Sequence, residues 1–171
     1  MIIYHGSNMI IKEPKVFKSN RALDFGIGFY ATTFKEQAEK WAIRKCTNYN
    51  GEIEGTPIVS IYELDLKLAY RNFKVYEFEG VTKEWLEFIL NNRKNINSKS
   101  PYDITIGEVA DDQVFATINL LSRGWIEIDT AIKRLKFKSP NNQVCINNQY
   151  VVEKCLKFIG KEEVKYENDR V

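Results

Sequence analysis

Asp24 to Ala42 reads DFGIGFYATTFKEQAEKWA. Gly26 and Gly28 lead into a short β-prone run that ends at Thr32. Two glycines so close together mean that the backbone must turn there or leave room for something packed against it. Thr33 and Glu36 have the spacing of a capping box. Beyond them Phe34, Ala38, Trp41 and Ala42 recur at helical spacing through about Cys46. The segment therefore predicts a turn, a short strand and then a helix.

Working outward, Met1–Tyr4 is apolar and partly β-branched, which predicts a strand from the first residues. A loop with Pro14, Ser19 and Asn20 separates it from the glycine-rich segment, and 48–57 holds two glycines and reads as another loop. Ile58–Leu66 is a strong strand candidate and Lys74–Phe78 a weaker one. Thr82 is placed to cap a helix with Trp85, Leu86, Ile89 and Leu90 on its apolar face. Tyr102, Ile104 and Ile106 alternate with Asp103, Thr105 and Gly107, the pattern of a strand buried on one side. Asp111 or Asp112 caps a helix through Ile118 and Leu121 that stops at Gly124, and Asp129 caps another with Ile132 and Leu135. Gln143–Ile146 is a short strand, and Asn147 or Asn148 opens a helix to about Leu156. Strands and helices in this irregular order argue for an α+β fold. One domain over 1–160 is expected, followed at 161–171 by a charged tail or a last strand.

Composition supports a folded domain. Of 171 residues 44% are apolar and 13% aromatic, enough for a sizeable core, so whole-chain disorder is excluded. The formal charge of +2 does not mark a nucleic-acid binder. Charge is nevertheless uneven: Ile10–Asn48 carries eight Lys/Arg against four Asp/Glu, and Pro101–Asp129 carries one Arg against six Asp/Glu. This reads either as solvated faces or as a basic segment near an anionic ligand with an acidic strand end across a cleft. Cys46, Cys145 and Cys155 form an odd set without a CxxC pair, which predicts free thiols rather than a disulfide framework or zinc site. No metal is expected, since a multi-histidine centre is impossible with His5 alone. MIIYHGSN does not read as a signal peptide, and no apolar run approaches the ~18 residues of a membrane helix. A cytoplasmic protein with no membrane partner is expected.

Familiar catalytic signatures are missing. There is no GxSxG elbow, Walker loop or HExxH. Asp24-Phe25-Gly26 lacks the other kinase motifs, and Gly26-Ile27-Gly28 lacks a third glycine for a dinucleotide fingerprint. A cysteine nucleophile would have only His5 as its base. What stands out is an ordered set: His5-Gly6-Ser7 at the end of the first strand, Gly28-Phe29-Tyr30 on the second, and Gln143 opening a late strand among Asn141, Asn142 and Asn147.

These elements resemble the ADP-ribosyltransferase superfamily, in its diphtheria-toxin-like H-Y-E branch. There the first strand ends in His-Gly, a later strand carries Gly-x-Tyr before a helix, and a late strand starts with Glu. YHGS at Tyr4–Ser7 matches the first element, GFYATTFKEQAEKWA from Gly28 the second, and NQVCI from Asn142 falls at the third, with Gln143 at the acidic position. More narrowly, the chain looks like a bacterial family of domains of unknown function, number 3990. The matched pattern is YHGS, DFGxGFYxT, a Trp-Leu-x-Phe helix, IGxVADD and the late Gln, over roughly Ile2–Phe158.

The resemblance implies two small packed antiparallel or mixed sheets with flanking helices and an NAD cleft between them. NAD would be the co-substrate. His5 would hydrogen-bond the adenine-side ribose hydroxyls, Gly6 would grip the nicotinamide amide by its backbone, and Tyr30 would stack on the nicotinamide ring. Ser7, Gly28 and Phe29 complete the expected cofactor-binding set, with Arg21 near the pyrophosphate. Cleavage of the N-glycosidic bond develops oxocarbenium-like charge, which the family's Glu stabilises. Gln143 departs from that pattern: an amide accepts a ribose hydrogen bond but brings no charge and no general base. Asp111 and Asp112 are candidates for a supporting acid, or simple helix caps. The implied activity is mono-ADP-ribosylation of an unknown acceptor, protein or nucleic acid, by a bacterial toxin or defence effector with a small antitoxin as partner. The alternatives are a non-catalytic NAD or ADP-ribose binding module and an NAD glycohydrolase, with a nucleic-acid module as a minor reading.

Overall fold

The computed structural model describes residues 1–17, 22–95, 98–109, 112–135 and 141–166, with the backbone alone at 112–115. The fold is α+β, and its strands form two small sheets. In the first, β1 (Ile2–Ser7), β3 (Ile58–Leu64) and β7 (Leu156–Glu163) run in the order β1-β3-β7, with both pairings antiparallel. The second has the order β2-β6-β5-β4, from β2 (Phe29–Ala31), β6 (Gln143–Ile146), β5 (Ile104–Gly107) and β4 (Val75–Glu77). It is mixed, because β4 and β5 are parallel while the other pairs are antiparallel. The sheets meet where Tyr4 and Thr32 exchange two backbone hydrogen bonds of 2.8 and 2.9 Å.

Strand alternation sorts the side chains into layers. Ile3, Tyr62 and Leu64 of the first sheet pack against Phe29, Ala31, Ile104, Ile106, Val144 and Ile146 of the second. The other face of the second sheet, including Cys145, is covered by α3 (Lys83–Arg93), α4 (Asp112–Ser122) and α5 (Ile128–Leu135), through Trp85, Leu86, Ile89, Ile118, Ala131 and Leu135. Helix α1 (Lys35–Cys46) lies on the outer face of the first sheet through Ala38 and Ala42, against Val59. Helices α2 (Leu66–Asn72) and α6 (Gln149–Cys155) close the intersheet core with Ala69, Val151 and Val152.

Several expectations are corrected. The apolar stripe of α1 is Ala38, Ala42 and Cys46, whereas Phe34 and Trp41 are about a third exposed. Small residues are required because α1 crosses β1 at Gly6, where an added Cβ would lie 2.0 Å from the Ala38 carbonyl oxygen. The Thr33–Glu36 capping box does not form: Phe34 is the N-cap, and the Thr33 hydroxyl accepts a 2.8 Å bond from the Asn142 amide instead. Strand β3 stops at Leu64, because Asp65 caps α2 by accepting from the Leu68 N–H. Strand β5 is buried on both faces, since helices cover the side expected to meet water. Asp129 lies inside the first turn of α5, which starts at Ile128. By contrast, Thr82 and Asn148 are the N-caps of α3 and α6 and accept from Trp85 and Tyr150. Strand β7 runs to Glu163, across the expected domain boundary at residue 160.

Candidate functional site

His5 sits on the intersheet side of β1. Its Nδ1 lies 2.6 Å from the Tyr30 carbonyl oxygen, and its ring packs 4.8 Å from Phe29, tilted by 36°. A carbonyl only accepts, so Nδ1 carries the proton and Nε2 is the acceptor nitrogen. Burial lowers the His5 pKa below its ordinary 6.5; the Tyr30 carbonyl opposes this, and the charge of Lys45 adds to it. The imidazole is therefore neutral near pH 7.

Gly6 follows with a main chain that is aimed. Tyr4 directs both its N–H and its C=O to Thr32. In an antiparallel strand, residues two apart point these groups to the same edge. Gly6 thus presents its N–H and C=O on that same edge, past the point where β1 and β2 part. Ser7 closes the turn after the strand, its hydroxyl donating to the Met9 carbonyl at 2.5 Å.

Tyr30 is mostly buried. Its hydroxyl donates to the Gly26 carbonyl at 2.6 Å and accepts from the Phe25 N–H at 3.1 Å. Burial, with Cys145 and Asp24 close by, pushes its pKa well above the ordinary 10. The Asp24–Gly28 loop is held from several sides. Asn147 donates to the Phe25 and Ile27 carbonyls at 2.8 Å, and Asn92 donates to the Asp24 carbonyl at 2.9 Å. Arg93 Nε pairs with the Asp24 carboxylate at 2.6 Å. Gly26 supplies the turn with φ of 76°, while Gly28 leaves room: an added Cβ would meet Cys145 Sγ at 2.3 Å. Phe29 is 6% exposed and belongs to the intersheet core.

Gln143 is 8% exposed, on the helix-covered face of β6 with Cys145. Its Nε2 donates to the Glu108 carbonyl at 3.4 Å, and the Trp85 indole N–H donates to the same oxygen at 3.3 Å. Glu108 is the acid that sequence reasoning missed. Asp111 and Asp112 drew attention to the end of GEVADD, but the Gly107–Gln143 pairing brings Glu108, at its start, beside β6. The Glu108 carboxylate accepts from the Asn141 N–H, and Asn141 Oδ1 in turn accepts from the Val109 N–H at 2.9 Å. Burial raises the Glu108 pKa more than that bond lowers it. Arg21 and Asp111 lie outside the described residues, and Asp112 is described only as the first residue of α4.

The ordered set is thus brought together unevenly. The His5 ring touches the Tyr30 backbone, and Tyr30 and Gln143 share one face of the second sheet. Strand alternation puts the His5 ring, against Phe29, on the opposite face from those two. Two cavities flank the region. One of about 310 Å³ is lined by Ile27, Ser100, Tyr102, Asp103, Asn147 and Asn148, among others. The second, about 240 Å³, is lined chiefly by Phe34, Glu77, Phe78, Glu108, Asn141 and Asn142. Neither is lined by His5, Tyr30 or Gln143. Among the described residues, no three His, Cys, Asp or Glu side chains gather as metal ligands, and no helix is long and apolar enough to cross a membrane.

Two sheets joined at Tyr4–Thr32, with glycine-dependent packing at Gly6 and Gly28, define an α+β domain built around the His-Gly and Gly-Phe-Tyr segments. The chain belongs to the family described as Protein of unknown function (DUF3990), whose model matches residues 1–158. No curated protein and no solved structure matches it.

Proposed function

We propose that the protein binds NAD and transfers a single ADP-ribose unit to an acceptor, as its resemblance to the ADP-ribosyltransferase superfamily implies. One observation carries the reading: the three strands bearing the landmarks are neighbours. Strand β1 ends in His5-Gly6, is bridged to β2 with Tyr30, and β2 pairs with β6, which opens at Gln143. The neutral His5 offers Nε2 to a ribose hydroxyl, and the Gly6 main chain offers a donor and an acceptor to a carboxamide. Binding at this place lets the nicotinamide ring leave with the electron pair of the glycosidic bond, while the sugar takes oxocarbenium-like charge.

Incubation of the protein with adenine-labelled NAD and a bacterial lysate tests this. Labelled macromolecule from the wild type, absent with His5→Ala, is the expected result. Free labelled ADP-ribose without labelled macromolecule would mean that water is the acceptor. No labelled product of either kind would refute the reading.

The commitment of the Gln143 amide to the Glu108 carbonyl favours a second reading, a module that binds NAD or ADP-ribose without turnover. Calorimetric binding of NAD with no nicotinamide released would establish it.

A further inference from the structure

Helix α1 touches both sheets with neighbouring residues. Ala38 approaches Gly6 of β1 so closely that an added Cβ would lie 2.0 Å from its carbonyl oxygen. Gln37, one residue earlier and partly buried, reaches the start of β6 instead. Its Nε2 donates to the Asn142 carbonyl at 2.9 Å, and its Oε1 accepts from the Asn142 N–H at 3.4 Å. One side-chain amide thus grips both main-chain groups of the residue that precedes β6. A glutamine that served only as a helix former would leave both ends of its amide to water. The Asn142 side chain is held separately, by the Thr32 hydroxyl and by the N–H and hydroxyl of Thr33. The Asn142 carbonyl shares a planar peptide unit with the Gln143 N–H, so the Gln37 bond orients the plane from which Gln143 departs. Lys35, the first residue of α1, adds an ion pair of 2.5 Å to Glu162 of β7. The helix is therefore a brace between the strand that ends in His5-Gly6 and the strand that opens at Gln143.

We propose that Gln37 is a positioning residue, which sets the Asn142–Gln143 peptide, and through it Gln143, relative to His5-Gly6 in the other sheet. The catalytic consequence rests on the ADP-ribosyl-transfer reading, in which Gln143 meets the nicotinamide ribose, while the clamp itself stands without NAD. The His5-Gly6 edge belongs to β1, and its grip on a ligand does not pass through Gln37. Loss of the clamp therefore leaves binding at that edge and displaces the group expected where charge develops. An interaction made mainly in the transition state appears in kcat rather than in KM.

Gln37→Met keeps length and helix propensity and removes both bonds to Asn142. Gln37→Glu is the second variant, since its carboxylate keeps the acceptor but turns an oxygen towards the Asn142 carbonyl. The whole protein and both variants are compared by amide exchange, by melting and by nicotinamide release from NAD. Exchange at Gln143 should quicken about tenfold in each variant, the scale of the neutral hydrogen bonds removed, while exchange at Ala42, beside Gly6, stays unchanged. The kcat for nicotinamide release should fall about tenfold with KM unchanged. Unchanged exchange at Gln143 would overturn the inference, because pairing with Gly107 would then set the strand end alone. A raised KM at constant kcat would also overturn it, and so would loss of the folded state in both variants, which would make Gln37 structural. A wild type that releases no nicotinamide would refute the transfer reading instead, and quickened exchange at Gln143 would still uphold the clamp.

Discussion

At the residue scale, the Gln143 amide is matched to its site. Its amide donates to a carbonyl that the Trp85 indole also reaches, in a site 8% exposed. A carboxylate there would point oxygen at oxygen. Gln143→Glu should therefore cost about 3 kcal/mol near neutral pH, the cost of burying a charged group without its donor. A protonated Glu can donate again, so its folded pKa is raised. The stability it contributes is present at low pH and lost as pH rises through that raised value. Denaturant melts of the variant and wild type at about pH 5 and pH 7.5 measure the gap, which should widen at the higher pH. An equal gap at both would contradict this account of the amide.

His5 titrates in the opposite sense. Its folded pKa lies below the ordinary 6.5, so between the two values the unfolded chain binds more protons. Its contribution to stability therefore falls as pH drops below about 6.5 and stops falling below the folded pKa. The difference in melting temperature between wild type and His5→Gln should thus vary across about pH 5–7.5, with the wild type losing more on acidification. A constant difference would show an imidazole whose pKa is the same in the folded and unfolded chain.

At the element scale, caps and core make unequal contributions. Thr82 caps α3 through a 3.2 Å bond from the Trp85 N–H, and Thr82→Ala should cost about 1 kcal/mol. The same helix buries Trp85, Leu86 and Ile89 completely, each worth roughly 2 kcal/mol, so it stays docked without its cap. Thr33→Ala should behave differently despite the similar sequence context, because its hydroxyl ties Asn142 to the start of β6. Amide exchange should therefore speed up in the first turn of α3 for Thr82→Ala, and at Asn142 and Gln143 for Thr33→Ala. Faster exchange at the start of α1 in Thr33→Ala would restore the capping-box assignment.

At the scale of the whole molecule, local chemistry was readable and neighbourhood was not. The Phe29–Ala31 strand, the α1 helix, the Thr82 cap and the need for glycine at 26 and 28 all follow from the sequence, because each rests on a few adjacent residues, and the structure chooses Asn148 over Asn147 as the cap of α6. Helix α2 was hidden behind the apolar run of β3, since Asp65 alone marks the change. Burial of β5 on both faces was hidden because the covering helices come later in the chain. Glu108 was hidden for the same reason: only the β5–β6 register brings it to Gln143. Trp41 shares helical spacing with Ala38 and Ala42, but spacing does not show that α1 rests on a glycine and small residues, which leaves Trp41 38% exposed.

The central claim is that His5 and Gly6, at the join between the two sheets, engage NAD. The most direct measurement is nicotinamide released from purified NAD by the wild type and by His5→Ala, with folding of both verified by their melts. Release by the wild type that drops to background in His5→Ala is the predicted result. Equal release by the two proteins, or NAD that neither binds nor is cleaved by the wild type, would contradict it.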